Sequence, residues 1–189
     1  MKLSAVLLAG GKSRRMGRDK AAILFRDSPL WQRQLDLLRK LEPEQLFVSA
    51  KTDPLWRPVD VEFVADAQPS RGPLSGIAAA LPCAASDHLL ALAIDMPFMS
   101  DDYLRKLFEK TQPGYGVVPM IDNRAEPLSA IYPRDVAVDF IHALAGNNFS
   151  LQPLVAKLIA AGKLQPVQVS AREQALFRNL NEPGDSDIS

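Results

Sequence analysis

Residues 3–20 read Leu3-Ser4-Ala5-Val6-Leu7-Leu8-Ala9-Gly10-Gly11-Lys12-Ser13-Arg14-Arg15-Met16-Gly17-Arg18-Asp19-Lys20. A short apolar run is stopped by two glycines. Lys12, Arg14, Arg15, Arg18 and Lys20 then crowd against a single acid, Asp19. An apolar run of this length predicts a strand covered on both faces, the setting of a parallel sheet. Ligands of open α/β sheets sit outside the carboxyl ends of the strands, so the basic turn lies where an anion would dock. Glycines let backbone approach a ligand closely and present N–H groups to phosphate oxygens. Arg15 and Lys20 can add charge-assisted contacts to a triphosphate. The opening run resembles the start of a secretory leader, but it is short and leads directly into Gly10-Gly11-Lys12 with no small-residue cleavage site. It is expected to be the first strand.

Outward from this stretch, apolar runs alternate with helical patterns. Residues 28–41 place Leu30, Gln34, Leu37, Leu38 and Leu41 at helical spacing, with Ser28 as the expected N-cap and Pro29 at the first helical position. Strands are predicted over 46–50 and 59–65, a helix from Gly72-Pro73 to Leu81, and a buried strand over 88–94 stopped by Asp95-Met96-Pro97. Ser100, Asp101 and Asp102 cap a helix to about residue 110. Two strands, 116–120 and 128–132, are expected to pair. Helices over 134–145 and 150–161 and a strand over 165–169 follow, and the tail from Glu182 is polar. Strands alternating with helices predict an α/β fold, a mainly parallel sheet covered on both faces. Without a repeat, linker or low-complexity tract, residues 1–189 are expected to form a single domain.

Composition narrows the function. In 189 residues, 47% are hydrophobic and 23% charged, the proportions of a folded chain. Lys+Arg and Asp+Glu balance at 22 each, which argues against a nucleic-acid partner. The local basic surplus suits a small anionic ligand instead. Cys83 is the only cysteine, so no internal disulfide is available and a reducing, cytoplasmic setting is expected. No apolar stretch approaches the ~20 residues that span a membrane.

Two familiar phosphate motifs fail. A Walker A loop needs glycine five residues before Gly11, where Val6 stands, and a dinucleotide fingerprint from Gly10 needs glycine at Lys12. The whole string from Leu8 to Lys20 instead resembles, without a gap, the pattern L-A-G-G-x-S-x-R-M-G-x-D-K of molybdopterin-type nucleotidyltransferases, most closely the molybdenum cofactor guanylyltransferases. The resemblance extends along almost the whole chain. Arg71-Gly72-Pro73-Leu74-Ser75-Gly76-Ile77 is similar to the family's G-P-L-x-G-I segment and Asp95-Met96-Pro97-Phe98 to its metal-site D-M-P-F. Pro127-Leu128 and Asn179-Leu180-Asn181-Glu182-Pro183 resemble its later landmarks.

The resemblance implies a three-layer α/β/α Rossmann-like nucleotidyltransferase fold. It implies nucleotide contacts from Leu8, Ala9, Gly10, Gly11, Lys20, Lys51, Asp66, Gly72, Pro73, Leu74 and Asp95. Arg15, Lys20 and Asp95 are the implied catalytic residues, with Asp95 holding Mg²⁺, for which Mn²⁺ substitutes. Asn179 and Asn181 are placed near the acceptor. They alternate, so in extended backbone both amides face one way, as suits a polar ring such as a pterin. Each position also has a plain structural use: Asp66 and Asp95 as turn residues, Pro73 as a helix starter, the asparagines as a polar turn. His88, His142 and Cys83 lack metal-ligand or nucleophile spacing and are expected to be structural or surface residues, with Trp31 and Trp56 as packing groups.

The chemistry so implied is transfer of GMP from GTP to molybdenum–molybdopterin, releasing pyrophosphate and forming the guanine dinucleotide cofactor. An acceptor phosphate is already anionic, so no general base is required; positioning and charge neutralisation suffice. A monomer is expected, with transient contact to cofactor-delivery or molybdoenzyme-maturation proteins. One departure concerns the base. Where the guanylyltransferases carry N-A-N after the second strand, this chain has Ser49-Ala50-Lys51, and lysine offers only donors to a guanine edge. The cytidylyltransferase of the same cofactor is the nearest alternative, although its turn carries Ala-Gly where Gly10-Gly11 stands. A sugar-phosphate or isoprenoid-precursor nucleotidyltransferase is a second alternative, and a catalytically silent nucleotide-binding or cofactor-chaperone module a third.

Overall fold

A computed structural model describes residues 1–10 and 20–180. Its strands are β1 (Leu3–Leu8), β2 (Leu24–Phe25), β3 (Ser28–Pro29), β4 (Gln45–Ala50), β5 (Glu62–Ala65), β6 (His88–Ala93), β7 (Gly116–Ile121), β8 (Arg124–Ala125), β9 (Ile131–Pro133) and β10 (Leu164–Gln168). Its helices are α1 (Leu30–Arg39), α2 (Pro73–Cys83), α3 (Asp101–Phe108), α4 (Ala137–Ala145) and α5 (Leu151–Ala160). The main sheet runs β10-β7-β9-β6-β1-β4-β5, with β8 paired to β7. β1 lies parallel between β4 and β6, and β5 extends the parallel half beyond β4. β9 is the antiparallel insert between β6 and β7.

Alternation along β1 divides the core. Leu3, Ala5 and Leu7 face a layer containing Leu35 and Leu38 of α1 and Leu104 and Leu107 of α3. Val6 and Leu8 face the opposite layer, with Leu74 and Ile77 of α2, Phe140 of α4 and Leu154 and Leu158 of α5. Two helical layers therefore enclose the sheet, as expected from the alternating pattern. β1 and β6 are buried at every residue, which explains their continuous apolar sequences.

Several boundaries differ from the sequence expectation. The helix predicted from Ser28 starts at Leu30 with Pro29 as its N-cap, because Ser28 and Pro29 pair with Leu24 and Phe25 in a hairpin. Its turn residues Arg26 and Asp27 both take positive φ (49° and 64°) without a glycine to announce it. The strand predicted over 59–65 starts at Glu62. The strand predicted over 128–132 is instead a 3₁₀ turn, Pro127–Ser129, followed by β9. β7 and β9 do pair, at Val117 and Ile131.

Pro119 helps to explain that excursion. On the β8/β9 side of β7 it falls between the β9 pairing at Val117 and the β8 pairing at Met120 and Ile121, while on the other side it stays in register with Val167 of β10. Proline has no N–H to donate and is tolerated where pairing lapses. The chain from β8 to β9 leaves the sheet there and opens a cavity.

Candidate functional site

β1 sits where the order of the sheet reverses: the chain runs from β1 outward to β4 and β5, then returns to β6 on the other side. Such a switch point leaves a crevice at the strands' carboxyl ends. Backbone bonds tie those ends together. Ala9 N–H donates to the Ser49 carbonyl at 2.9 Å, Ile94 N–H to the Leu8 carbonyl at 3.2 Å, and Asp66 N–H to the Ala50 carbonyl at 2.9 Å. The ends of β1, β4, β5 and β6 thereby converge on Gly10.

Lys20 and Asp95 meet across this crevice. The Lys20 Nζ lies 2.9 Å from the Asp95 Oδ2, with the two side chains 22% and 19% exposed. Residues 75 positions apart in sequence are joined here at the far end of the basic turn. Asp95 directly follows the buried end of β6, and Pro97 behind it is clamped by Arg33, whose Nε donates to the Pro97 carbonyl at 2.8 Å. The Asp95 carbonyl also accepts from Leu180 N–H at 3.0 Å, which brings the chain after Phe177 over the same point.

Asp66 is turned inward and is only 4% exposed. Its oxygens accept from the Ser49 hydroxyl at 2.9 Å and the Ser70 hydroxyl at 3.1 Å. A methyl group on Gly10 would stand 3.1 Å from the Asp66 Oδ2. The visible role of Asp66 is thus to shape the base of the glycine turn. Gly76, on the first turn of α2, makes a similarly close approach: a Cβ there would lie 2.9 Å from both the Leu8 Cδ2 and the Ser49 Oγ. α2 can therefore press its N-terminal turn onto the ends of β1 and β4. Gly72, its N-cap, has φ 71°, a conformation glycine adopts without steric penalty. Unpaired N–H groups and the helix dipole at such an end favour an anion.

Behind Asp95 lies a cavity of about 490 Å³. Ala93 and Met96 flank Asp95 and line one part of it; Glu126, Phe149, Gln152 and Asn179 line other parts. The Arg71 guanidinium carbon lies 4.3 Å from the centre of the Phe149 ring. Gln152 fixes part of the wall by donating its Nε2 to the Ala125 carbonyl at 2.8 Å.

The expected site residues therefore distribute unevenly. Lys20 and Asp95 touch, and Ala9, Gly10 and Asp66 stand at the same end of the sheet. Leu8 and Leu74 have side chains buried in the core. Pro73 lines the cavity together with Asn179. Lys51 is exposed beyond the end of β4 and makes no hydrogen bond or ion pair with the described residues. Gly11, Arg15 and Asn181 lie outside the described residues. Ser49, Ser70, Phe149 and Glu126 were not singled out by sequence pattern. Glu126 immediately precedes Pro127-Leu128, so its position was within reach of that landmark.

The residues held apart from the site behave as expected. His88 is buried and its Nε2 lies 3.1 Å from the Tyr115 carbonyl. His142 and Cys83 are exposed on helices, and Trp31 and Trp56 stack at 5.5 Å. Asp101 and Asp102 occupy the first turn of α3, whose N-cap Ser100 accepts from Tyr103 N–H at 3.3 Å.

Among the described residues no three His, Cys, Asp or Glu side chains cluster to hold a metal. A hard cation at Asp95 would draw its remaining oxygens from substrate phosphates and water, a donor set that suits Mg²⁺ at nucleotide sites. No helix among the described residues is long and apolar enough to cross a membrane.

Comparison with known proteins agrees with this geometry. Residues 5–162 match the profile of the MobA-like NTP transferase domain. A probable molybdenum cofactor guanylyltransferase of Opitutus terrae is 35% identical over 98% of this chain and 93% of its own length. A molybdenum cofactor guanylyltransferase of Syntrophotalea carbinolica is 34% identical over 96% of this chain and 88% of its own. The crystal structure of molybdopterin-guanine dinucleotide biosynthesis protein A from Archaeoglobus fulgidus superposes with a TM-score of 0.76 at 25% identity, covering 97% of this chain and 94% of that one. A 2-C-methyl-D-erythritol 4-phosphate cytidylyltransferase of Thermus thermophilus shares the fold, with a TM-score of 0.70 at 15% identity, covering 98% of this chain and 96% of that one. With a switch-point crevice, a lysine–aspartate pair across it and a match over most of its length, the chain belongs to the MobA-like NTP transferase family and is a nucleotidyltransferase.

Proposed function

We propose that this chain transfers GMP from GTP to molybdenum–molybdopterin. The observation that carries the reading is the Lys20–Asp95 pair at 2.9 Å, which joins the end of the basic turn to the acid after β6 beside a cavity able to take a second substrate. A phosphate oxygen of the acceptor attacks the α-phosphorus of GTP. The bond from that phosphorus to the β-phosphate bridging oxygen breaks, and pyrophosphate leaves with the electron pair. Lys20, with Arg15 from the same turn, neutralises charge developing on the leaving group. Gly10 and Gly11 bring backbone N–H groups to the phosphates, and Asp66 holds that turn in shape. Asp95 would hold Mg²⁺, which would supply positive charge to offset the repulsion between the nucleotide phosphates and the acceptor. Asn179 and Asn181 serve the acceptor side. The protein acts as a monomer in the cytoplasm.

The guanine preference follows from the relatives' names and the Gly10-Gly11 pair. Thermal-shift titration with GTP, CTP, ATP and UTP in Mg²⁺, followed by pyrophosphate release on adding acceptor, tests it. GTP-selective stabilisation and acceptor-dependent release are expected. Selective stabilisation by CTP overturns the base, and silence with all four nucleotides overturns the reading.

A further inference from the structure

The cavity behind Asp95 holds a carboxylate, Glu126, that the phosphate chemistry does not use. Glu126 lines it at the start of the 3₁₀ turn, and its main chain is fully engaged. Its N–H donates to the Pro119 carbonyl at 2.8 Å, and its own carbonyl accepts from the Ser129 N–H and hydroxyl, each at 3.3 Å. Its carboxylate accepts no hydrogen bond from a described residue. Burial pushes that carboxyl above its ordinary value, with the Arg124 charge opposing. A carboxylate partly removed from water and left without donors is unfavourable in the free protein, and a ligand that brings donors relieves it. The Phe149 ring, stacked by the Arg71 guanidinium, lines the same cavity.

We infer that Glu126 recognises the acceptor's ring, its two carboxylate oxygens accepting from the ring N–H and the exocyclic 2-amino group of a pterin seated against Phe149. The inference rests on the proposed acceptor. Two parallel N–H donors match a carboxylate in the way a guanidinium fork does. A volume of about 490 Å³ accommodates a bicyclic ring with its side arm. Ala93 and Met96 line the same cavity on either side of Asp95, so a ring held at Glu126 leaves its phosphate arm free to extend toward the nucleotide. Glu126 thus sets which acceptor is chosen, whereas Lys20 and Asp95 act on the phosphates.

Fluorescence titration of the full chain with 6-hydroxymethylpterin and 6-hydroxymethyl-lumazine tests this. The second probe carries a carbonyl oxygen where the pterin has its 2-amino group, and would face the Glu126 carboxylate with an acceptor in place of a donor. The wild-type chain is expected to favour the pterin by ~10-fold or more, and Glu126→Gln to lose ~10–100-fold in pterin affinity together with that preference, the range for removing one charged hydrogen-bond partner. The thermal shift with GTP and Mg²⁺ should be unchanged in Glu126→Gln. Equal affinity of the wild type for both rings overturns the assignment, and this comparison needs no variant. A Glu126→Gln titration indistinguishable from wild type also overturns it. Absence of pterin binding beside a normal GTP shift overturns the inference and leaves the nucleotide reading standing. A retained pterin preference beside no GTP response supports Glu126 and overturns the proposed reaction instead.

Discussion

Replacing Lys20 with methionine separates what the Lys20–Asp95 pair does for the fold from what it does for transfer. Methionine keeps a long flexible stem and removes the charge. In the free protein the two charged atoms are 2.9 Å apart and each side chain is about four-fifths covered. At an effective dielectric of ~20 the direct attraction is roughly 6 kcal/mol. Dehydrating both ions and fixing the lysine stem offset most of it, leaving a net of about 1–2 kcal/mol for a pair at this depth. The variant should therefore melt about 3–6 °C lower, given the entropy of unfolding for a chain of this size. Turnover should suffer much more. Charge grows on the leaving pyrophosphate only as the α-phosphorus bond breaks, so a cation there acts mainly in the transition state. Its loss should cost ~10²–10³-fold in kcat, with a smaller change in KM for GTP. Pyrophosphate release from GTP, Mg²⁺ and molybdopterin cofactor reads turnover, and melting of the same preparations reads stability. Turnover within about threefold of wild type would refute the catalytic role of Lys20. A melting loss beyond about 10 °C would refute the claim that the pair is minor for the fold.

Ser49→Ala removes the 2.9 Å donor to a carboxylate only 4% exposed, so urea denaturation should show a loss of about 1–3 kcal/mol, with weaker nucleotide binding as the Gly10 turn loosens. Gly116→Ala would place a methyl carbon 2.0 Å from the Ile131 carbonyl oxygen, a backbone atom that cannot swing away. It should cost at least ~3 kcal/mol and reduce soluble yield, which circular dichroism melting and expression levels measure. The folded-state value of Glu126 lies above its unfolded one, so between the two the folded chain binds more protons and stability falls as pH rises. Glu126→Gln, which cannot ionise, should match wild type below about pH 4 and be the more stable protein at neutral pH. Equal melting temperatures at pH 7 would contradict the burial of that carboxylate.

Much of the architecture was legible because β1 and β6 are buried at every position and therefore announce themselves as unbroken apolar runs. Helix α3 was legible for a different reason: Ser100 caps it with a side-chain bond, a local signal. The hairpin of β2 and β3 was not legible, since two-residue strands carry no period and Arg26 and Asp27 adopt positive φ without glycine. Nor was the 3₁₀ turn at Pro127–Ser129, because the mostly apolar run Pro127-Leu128-Ser129-Ala130-Ile131-Tyr132 leads without a break into β9. The turn stands where β7 passes from its β9 partner to its β8 partner, a tertiary matter. In the site, Lys20 and Asp95 were readable from the turn and the acid after a buried strand. Ser49 and Glu126 were not, because their significance comes from what faces them: a buried carboxylate in one case, a cavity that brings no donor to a carboxylate in the other.

The two margins of the sheet have a consequence for how the protein lives among its own copies. β10, at one margin, pairs only with β7 among the described residues and contains Pro166, which removes a donor from any ladder a second chain might build there. β5, at the other, is four residues long and begins at the exposed Glu62. A strand that is short, charged or broken by proline is a poor template for intermolecular pairing. The sheet thus ends where chain-to-chain polymerisation would otherwise begin. An enzyme that keeps a wide crevice open for two bulky anionic substrates can do so without offering its backbone to a neighbour.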